Sequence, residues 1–581
     1  MTKEITISRE TIDAAERNLA ERLDRLGPIA ERLQRVLGLD DPKHKSFFDL
    51  KILSALVGER VVGQLPNDGM GDSVKTYTVL GCIAGLVEKM FNNKLAAEPN
   101  GSAIADELLI QSLADVFKDK CLVGPTSGSY GIALYIIAEK LREKCGINVK
   151  ALPLFGADIP PGKLEIIEEY HRKEWGALPL VEALSRETRE QDSLNKLVEI
   201  VLNGSNTIDG GFFVPTNPLS MADLEKLTTT IISSAKNLRE VPEWKQDILS
   251  NLGIAVDPEN NTLTINTAYA DHAAGTELFA TAILEAFPNA RVNVLYPISA
   301  GAGAMGPLRQ AEKHSDHMHI LLAPDPANPS WQEHRTVNEQ SVFENVYVQP
   351  AEQADGTDAK ATNGMGSKAQ APLNGDAVTT LVEEGVANNR AEFLPVTDVM
   401  RQVARAITTL DELHHNFGKK IPIQELASAT SAGALLTRAV ENADSDEDVR
   451  RLAHLATKEI FRYGINERQF LQLCFREEPR NKTSNVAKTW GELEKLAEIQ
   501  GRRIDKDSNR VLIFMQELHA AFIQFSATSG LASSPEEKSS EALAEATHVT
   551  VIPITGRNSG ITVAVRPAFA IEQSWRHAEA A

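Results

Sequence analysis

The residue of this chain with the clearest chemical potential is a lysine at the start of a helical run. Lys75 ends the segment 71–75 (Gly-Asp-Ser-Val-Lys) and leads into the apolar helical run 74–91. A lysine amine can bond to a carbonyl carbon and then carry a proton, which are the two tasks of covalent amine catalysis. Because a single helical lysine is usually a solvated surface group, its role depends on the surrounding sequence.

Two Gly/Ser-rich turns could bind anions. Residues 124–131 (Gly-Pro-Thr-Ser-Gly-Ser-Tyr-Gly) and 299–306 (Ser-Ala-Gly-Ala-Gly-Ala-Met-Gly) each follow a β-rich run and precede an amphipathic helical run. Backbone N–H groups at a helix N-terminus suit a phosphate or a carboxylate. Such a turn is more often a packing feature than a ligand site, so each of the two is weak support when taken alone.

The elements that must position these turns alternate between strands and helices. Residues 47–66 are expected to form a strand that enters the Gly-rich turn before Lys75, and residues 1 to about 45 a helix. Further β-like runs are 146–155 (GINVKALPLF), 317–325 (HMHILLAPD) and 547–556 (THVTVIPITG). Alternating β and α units of this kind predict an α/β fold, with a mainly parallel sheet covered by helices.

Length and composition restrict the class of protein. With 581 residues, 42% apolar and 24% charged, the chain is long enough for two or more soluble domains. A formal net charge of −20 disfavours a nucleic-acid partner, and no apolar run is long enough for a membrane helix. The first residues lack the pattern of a secretory signal, and the four cysteines are scattered, so a cytoplasmic protein with reduced thiols is expected.

The order of several blocks, more than any single one, resembles a known enzyme family. The blocks are 71–75, 124–134, 214–218 (Val-Pro-Thr-Asn-Pro), 275–277 (Gly-Thr-Glu), 299–306, 363–366 (Asn-Gly-Met-Gly), 429–434 (Ala-Thr-Ser-Ala-Gly-Ala) and 551–558 (Val-Ile-Pro-Ile-Thr-Gly-Arg-Asn). In this order they resemble the signatures of the fold-type II pyridoxal 5'-phosphate (PLP) enzymes of the cysteine synthase and cystathionine β-synthase family. The 275–277 block corresponds to a turn that precedes a strand in that family.

The resemblance implies an architecture of the tryptophan synthase β-subunit type, with two interleaved three-layer subdomains that each contain a parallel sheet. The expected organisation is an N-terminal helical extension (1–45), a PLP-binding catalytic core (46–477), a helical insertion (478–545) and a final core strand with a C-terminal tail (546–581). A homodimer is expected by the same resemblance. For the extension and the insertion, a lid, a dimer arm and a partner surface are all open roles.

The resemblance also implies a role for each matching residue. Lys75 would hold the cofactor as a Schiff base and move the proton at the substrate α-carbon. Substrate contacts are implied for Thr126, Ser127, Gly128 and Tyr130. Cofactor contacts are implied for Ser129, Ser299, Ala300, Gly301, Ala302, Gly303, Gly364 and Thr555. In this scheme the segment 299–303 binds the phosphate, and Thr555 faces the pyridine nitrogen.

Some positions depart from the family pattern. Ser129 stands where the family has an asparagine that contacts the ring hydroxyl of the cofactor, and Tyr130 follows it in place of threonine. The phosphate loop lacks the family's threonines, and Gly211 stands where a carboxylate-contacting glutamine is expected. These changes indicate a substrate pocket with a different shape, so the amino-acid substrate is not fixed by the resemblance.

A metal centre is not expected. His314, His317 and His319 have a spacing that could suit a metal, but His317 and His319 flank Met318 at the start of an apparent strand. We interpret this stretch as a helix-to-strand junction.

Three functions remain open from the sequence. The first is β-elimination or β-replacement on a serine- or cysteine-like amino acid, with PLP as the cofactor and a small amino acid as the ligand. The second is a PLP-dependent dehydratase or ammonia-lyase, which releases a 2-oxo acid and ammonia. The third is a catalytically weak relative of these enzymes that acts as a binding protein.

Overall fold

The computed structural model confirms an α/β fold. It describes residues 9–39, 46–65, 74–98, 102–118, 120–125, 129–154, 161–176, 211–213, 254–257, 262–265, 269–298, 302–324, 382, 385–386, 388–415, 421–424, 429–474, 486–504, 509–527, 547–553 and 557–563. The strands are β1 (Ser46–Asp49), β2 (Val61–Leu65), β3 (Lys120–Pro125), β4 (Val149–Leu154), β5 (Gly211–Phe213), β6 (Ile254–Asp257), β7 (Thr262–Ile265), β8 (Arg291–Ile298), β9 (Met318–Pro324), β10 (Ala391–Phe393), β11 (Ile421–Gln424), β12 (His548–Pro553) and β13 (Arg557–Val563).

The helices, in chain order, mostly follow the strands. They are α1 (Arg9–Val36), α2 (Lys51–Val57), α3 (Lys75–Ala97), α4 (Ala105–Phe117), α5 (Ser129–Cys145), α6 (Pro161–Trp175), α7 (Tyr269–Ala286), α8 (Met305–Lys313), α9 (Asp398–His415), α10 (Thr430–Glu441), α11 (Asp446–Arg462), α12 (Glu467–Cys474), α13 (Val486–Ile504) and α14 (Arg510–Ala527), with a 3₁₀ turn at Ala302–Ala304 before α8.

The largest sheet has six strands in the order β1-β2-β12-β8-β9-β10. Every neighbouring pair is parallel except β1 with β2. Three of the strands expected from the sequence, β8, β9 and β12, lie side by side in its centre. The mainly parallel sheet is therefore confirmed.

Alternating side chains of the sheet separate two apolar cores. We call the two sides of the sheet the first face and the second face. The core on the first face contains Val62, Val294, Ile320 and Val551 together with side chains of α1, α3, α4, α5, α7 and α8. The core on the second face contains Val61, Leu295, Leu321 and Ile552 with side chains of α2 and α9 to α14. Since successive residues of a strand point to opposite faces, this arrangement is three layered, with helices on both sides of the sheet.

Three smaller sheets accompany the large one. A parallel sheet of order β4-β3-β5 contributes Leu122, Val149 and Ala151 to the core of the first face. β6 with β7 and β11 with β13 form antiparallel pairs.

The segment before Lys75 differs from its sequence-based prediction. Residues 47–66 were expected to form one strand, but they form β1, α2 and β2. Asp411 of α9 provides the reason, because its carboxylate accepts hydrogen bonds from the backbone N–H groups of Ile52 (2.8 Å) and Leu53 (3.2 Å). This distant side chain caps a seven-residue helix that has no capping side chain of its own at Leu50.

Helices α3 and α7 touch through their backbones. A Cβ atom on Gly81 would overlap the carbonyl oxygen of Asp271, and one on Gly275 would overlap the carbonyl oxygen of Tyr77. The expected turn at 275–277 is therefore wrong, because these residues lie inside α7. Gly275 is required there by the close helix contact and not by a turn.

Two segments outside the family resemblance contribute to these cores. Helix α1 contributes Ile29, Leu33 and Leu37 to the core of the first face. Helices α13 and α14 contribute Trp490 and Phe514 to the core of the second face. Within the described residues, none of the helices is long and apolar enough to cross a membrane.

The helix contact predicts a large effect for one added methyl group. Gly81→Ala is expected to lower the free energy of unfolding by about 3 kcal/mol or more, because the new Cβ forces α3 and α7 apart. Gly491→Ala, on α13 with open space around it, should raise that free energy by about 0.5–1 kcal/mol. Urea unfolding of both variants measures the difference, and equal midpoints would show that the two helices are not in contact.

The buried cap predicts a pH dependence of stability. Burial raises the pKa of Asp411 to about 8, against the opposing effect of the two N–H groups. The folded protein then retains a proton that the unfolded chain releases above about pH 4, so the stability contributed by this group is full below pH 4 and is lost as the pH rises toward 8.

Asp411→Asn removes this titration and keeps an oxygen for one of the two N–H groups. The free energy of unfolding of the wild type should fall between pH 5 and pH 8 more steeply than that of the variant, by at most about 1.4 kcal/mol per pH unit. Urea midpoints at several pH values test this, and parallel curves for both proteins would contradict it.

Candidate active site

The carboxyl ends of the parallel strands meet at one edge of the large sheet. Gln64 of β2 pairs with Pro553 of β12, and Ile298 of β8 pairs with Pro324 of β9. The four strands therefore end almost in line. In open α/β sheets, ligands bind beyond this edge, where the loops after the strands lie close together.

The first-face helices that follow two of these strands begin with candidate residues. Lys75 is the first residue of α3, where it is half-buried and is followed by the buried Thr76 and Tyr77. Ala302 and Gly303 form the 3₁₀ turn that leads into α8. Each helix start presents the partial positive charge of its backbone N–H groups.

The turn at Gly303 has a steric reason to lack a side chain. A Cβ there would lie 2.6 Å from the hydroxyl oxygen of Tyr296, a buried residue of β8. A threonine at this position would displace the tyrosine. Small residues let an anion approach the backbone closely, so the replacement is compatible with a phosphate loop.

Ser129 and Tyr130 begin helix α5. Ser129 is half-buried, whereas Tyr130 is only 4% exposed and its hydroxyl lies 4.0 Å from the Cys82 sulfur of α3. Burial raises the pKa values of the Tyr130 hydroxyl and the Cys82 thiol, so both are neutral at physiological pH. The observed role of Tyr130 is thus to join α5 to α3, and its contact with substrate stays a prediction.

The other candidate residues lie outside the described part of the chain. They are Thr126, Ser127, Gly128, Ser299, Ala300, Gly301, Gly364 and Thr555. The strands that precede most of them are described: β3 ends at Pro125, β8 at Ile298 and β12 at Pro553.

Two buried polar atoms, one at this edge and one at the start of α10, have no hydrogen-bond partner among the described residues. They are the side-chain carbonyl oxygen of Gln64, near the end of β2, and the hydroxyl of Thr430, the first residue of α10. The two residues are 3% and 1% exposed. A buried polar atom left without a partner costs about 1–3 kcal/mol, so each of these atoms is expected to meet a group outside the described residues.

Sequence reasoning did not identify these two residues as candidates. Gln64 lies in an apolar strand, and Thr430 occurs only within the block 429–434, which was assigned no residue role. The residues next to them in the sequence do not indicate whether their polar atoms find partners among the described residues. The presence of a partner depends on which helices pack over these atoms.

The histidine stretch has the expected junction. Helix α8 ends at Lys313 and β9 begins at Met318, with His314 and His317 between them. Burial lowers the pKa of His319. Within the described ranges, no group of three or more His, Cys, Asp or Glu side chains could hold a metal ion.

Comparison with solved structures gives matches with low TM-scores. No protein-family model matches the chain, and a comparison with curated proteins finds no match. Diaminopropionate ammonia lyase from Escherichia coli gives a TM-score of 0.40 at 12% identity, over 74% of this chain and 85% of that chain. Serine racemase from maize gives 0.37 at 12% identity, over 94% of this chain and 97% of that chain.

A second serine racemase, from Dictyostelium discoideum, also gives a TM-score of 0.37 at 12% identity, over 72% of this chain and 91% of that chain. All of these values are low. The α/β architecture therefore rests on the strand pairing of this chain itself.

The unpartnered hydroxyl predicts an unusual response to substitution. Thr430→Val removes a buried polar atom that has no partner among the described residues, so we expect the free energy of unfolding to rise by about 1 kcal/mol. Thr437→Val, in the same helix, removes a buried hydroxyl that donates to the Gly433 carbonyl at 2.8 Å, so it should lower stability by about 1 kcal/mol. Urea unfolding distinguishes the two, and a loss of stability in both would contradict the prediction.

Proposed function

We propose that this protein is a PLP-dependent enzyme that eliminates a group from the β-carbon of a serine- or cysteine-like amino acid. In the same site it can add a nucleophile, as a cysteine synthase does. The observation that carries the proposal is the adjacency of β2, β12 and β8. These are the strands that precede Lys75, Thr555 and the segment 299–303, the three parts of the chain assigned to one cofactor by sequence resemblance.

The parallel direction of the three strands supports a shared site. Because all three end at the same edge, the chain leaves the sheet there toward a lysine, a neutral hydroxyl residue and a Gly-rich turn before a helix. An amine, a hydroxyl and a helix N-terminus are the groups that the aldehyde, the pyridine nitrogen and the phosphate of PLP require.

The unpartnered oxygen of Gln64 fits the same interpretation. It lies one residue before the end of β2, on the strand that leads to Lys75. Since no described residue satisfies it, its donor lies outside the described residues, and a ligand beyond the sheet edge is compatible with that.

In this proposal Lys75 binds the cofactor through its amine and moves a proton at the substrate α-carbon. When bound, PLP supplies the conjugated ring system that accepts electrons from the α-carbon. Thr126, Ser127 and Gly128 hold the substrate carboxylate at the start of α5, with Ser129 and Tyr130 beside them. The segment 299–303 holds the phosphate by backbone N–H groups, with Gly364 beside the cofactor.

Thr555 determines which reaction is favoured. A neutral hydroxyl near the pyridine nitrogen leaves the ring unprotonated, which makes it a weaker electron sink than a carboxylate partner would. Such a ring suits β-elimination and replacement better than transamination. Whether water or another nucleophile completes the reaction is decided by product analysis, which separates a 2-oxo acid with ammonia from a β-substituted amino acid.

A cytoplasmic homodimer belongs to the same proposal. Light scattering on the purified protein measures the assembly, and a monomer of 63.4 kDa would contradict that part.

The cofactor assignment is tested by the visible absorption of the protein after incubation with PLP. The wild type should show the band of a lysine-bound cofactor, and Lys75→Ala should lose it. Lys89→Ala, an exposed lysine on the same helix, should keep the band. Borohydride reduction followed by peptide mass analysis should place the added mass on the peptide that contains Lys75.

Two outcomes would contradict the proposal. A wild-type protein with no band would show that the protein is not a PLP enzyme. A band that survives in Lys75→Ala would show that Lys75 is not the lysine that binds the cofactor. If the band forms, a spectral shift on adding L-serine or L-cysteine identifies the class of substrate.

A further inference from the structure

A buried tyrosine hydroxyl lies beside the turn that leads into α8, and the proposed function assigns it no role. Tyr296 of β8 comes two residues before the end of the strand and is only 6% exposed. A Cβ atom on Gly303 would lie 2.6 Å from the tyrosine hydroxyl oxygen, and 3.1 and 3.2 Å from two of the ring carbons. The hydroxyl therefore occupies the place that a side chain at position 303 would take.

The hydroxyl of Tyr296 is a hydrogen-bond donor whose acceptor lies outside the described residues. Among the described residues, none forms a hydrogen bond with it. Burial raises the pKa of Tyr296 well above its usual value, so the hydroxyl keeps its proton at physiological pH. Because a buried hydroxyl that donates to nothing costs free energy, an acceptor is expected beside it. The strand thus presents one buried donor at the turn before α8.

The absence of a side chain at position 303 has a single cause. The φ angle of Gly303 lies outside the left-handed region, so its backbone would accept another residue. The three atoms nearest to an added Cβ all belong to Tyr296. The tyrosine, and not the geometry of the turn, therefore excludes a side chain. A hydroxyl that a serine would present from the turn is presented here from the neighbouring strand.

The start of α8 also favours a ligand. Ala304 and Met305 are fully buried, and no side chain caps the helix at Ala304. The N–H groups of a first helical turn have no partner within the helix and carry a partial positive charge. An anion satisfies these groups and accepts a hydrogen bond from a tyrosine, whereas a cation is repelled by the helix start. The uncapped helix start and the buried donor beside it therefore favour the same class of ligand.

A row of aromatic rings connects this hydroxyl with the helix of Lys75. Tyr77, two residues after Lys75, packs edge-to-face on Phe279 of α7, with ring centroids 5.8 Å apart. Phe279 packs edge-to-face on Tyr296, with centroids 6.5 Å apart. All three rings are buried, and buried rings pack as closely as molecules in a crystal. The donor is therefore held at a fixed distance from the first turn of α3.

We propose that the Tyr296 hydroxyl donates a hydrogen bond to a phosphate monoester bound at the start of α8. This hydroxyl takes the place of one that the residue at position 303 cannot carry. The inference rests on the proposed function, in which this phosphate belongs to PLP. Free phosphate presents the same oxygens to the same donors, so experiment separates the two sources.

PLP and pyridoxal are a matched pair of probes, because both can bond to Lys75 and only PLP carries the phosphate. Tyr296→Phe keeps the ring and its contact with Phe279 but removes the donor. Its dissociation constant for PLP, measured by absorbance titration of the full-length protein, should rise about tenfold, as expected for a lost hydrogen bond to a charged group. Its dissociation constant for pyridoxal should equal that of the wild type.

Tyr463→Phe is the matched control, because Tyr463 is a buried tyrosine in the core of the second face. This variant should leave the dissociation constants for PLP and for pyridoxal unchanged.

Inorganic phosphate tests the same donor without the cofactor lysine. Phosphorus NMR titration of Lys75→Ala with inorganic phosphate should detect binding. The double variant Lys75→Ala/Tyr296→Phe should bind inorganic phosphate about tenfold more weakly.

Moving the hydroxyl back to the turn provides a rescue. Gly303→Ser alone places its Cβ against the tyrosine oxygen, so the preference for PLP over pyridoxal should fall. In Tyr296→Phe/Gly303→Ser the closest atom is gone, and the serine supplies a hydroxyl from the turn. The double variant should therefore recover part of the preference that each single variant loses, and a loss equal to that of Tyr296→Phe would contradict the exchange.

The outcomes separate this inference from the proposed function. If Tyr296→Phe binds PLP as tightly as the wild type, or loses PLP and pyridoxal affinity equally, the inference is wrong while the cofactor assignment stands. If the wild type forms no PLP band but Lys75→Ala binds inorganic phosphate through the tyrosine, the cofactor assignment is wrong and the phosphate donor stands. Binding of neither PLP nor inorganic phosphate would overturn both.

Discussion

The architecture depends on the backbone contact between α3 and α7. Gly81 and Gly275 let the two helices approach until each glycine meets a carbonyl oxygen of the other helix. Helix α7 then makes a second contact of the same kind, since a Cβ on Gly306 of α8 would overlap Thr276 and the backbone of Glu277. The helix that begins with Lys75 and the helix that follows the Gly303 turn are thus held at fixed distances from the same neighbour.

Helix α1 is bound to α7 and α8 through charge as well as apolar packing. Arg22 of α1 pairs with Asp271 of α7 at 2.9 Å, and Asp24 pairs with Arg309 of α8 at 2.8 Å. Burial raises the pKa of Asp271 to about 6 in spite of the arginine. Removing α1 would leave Asp271 without its cation beside the glycine contact, where an unpaired carboxylate is costly.

The features that could be predicted from the sequence are those determined by residues close together in the chain. The central strands β8, β9 and β12 were predicted, because a short apolar run between turn residues carries its own signal. Helix α2 was not, since its cap comes from Asp411, and the 275–277 turn was wrong, since its glycine serves a contact with a distant helix. Gln64 and Thr430 could not be found, because the lack of a partner among the described residues is a property of the packed molecule.

The two segments outside the family resemblance have the same physical relation to the core. Each contributes buried apolar side chains and at least one polar contact with the core: Arg22 with Asp271 for α1, and Gln500 with the Val399 N–H for α13. A lid must open at small free-energy cost, which requires few buried contacts and exposed hydrogen bonds. Opening either helix would expose Leu26 or Trp490, both fully buried, and break the polar contact as well. The described contacts therefore favour fixed covers of the two faces and disfavour the lid that the sequence left open.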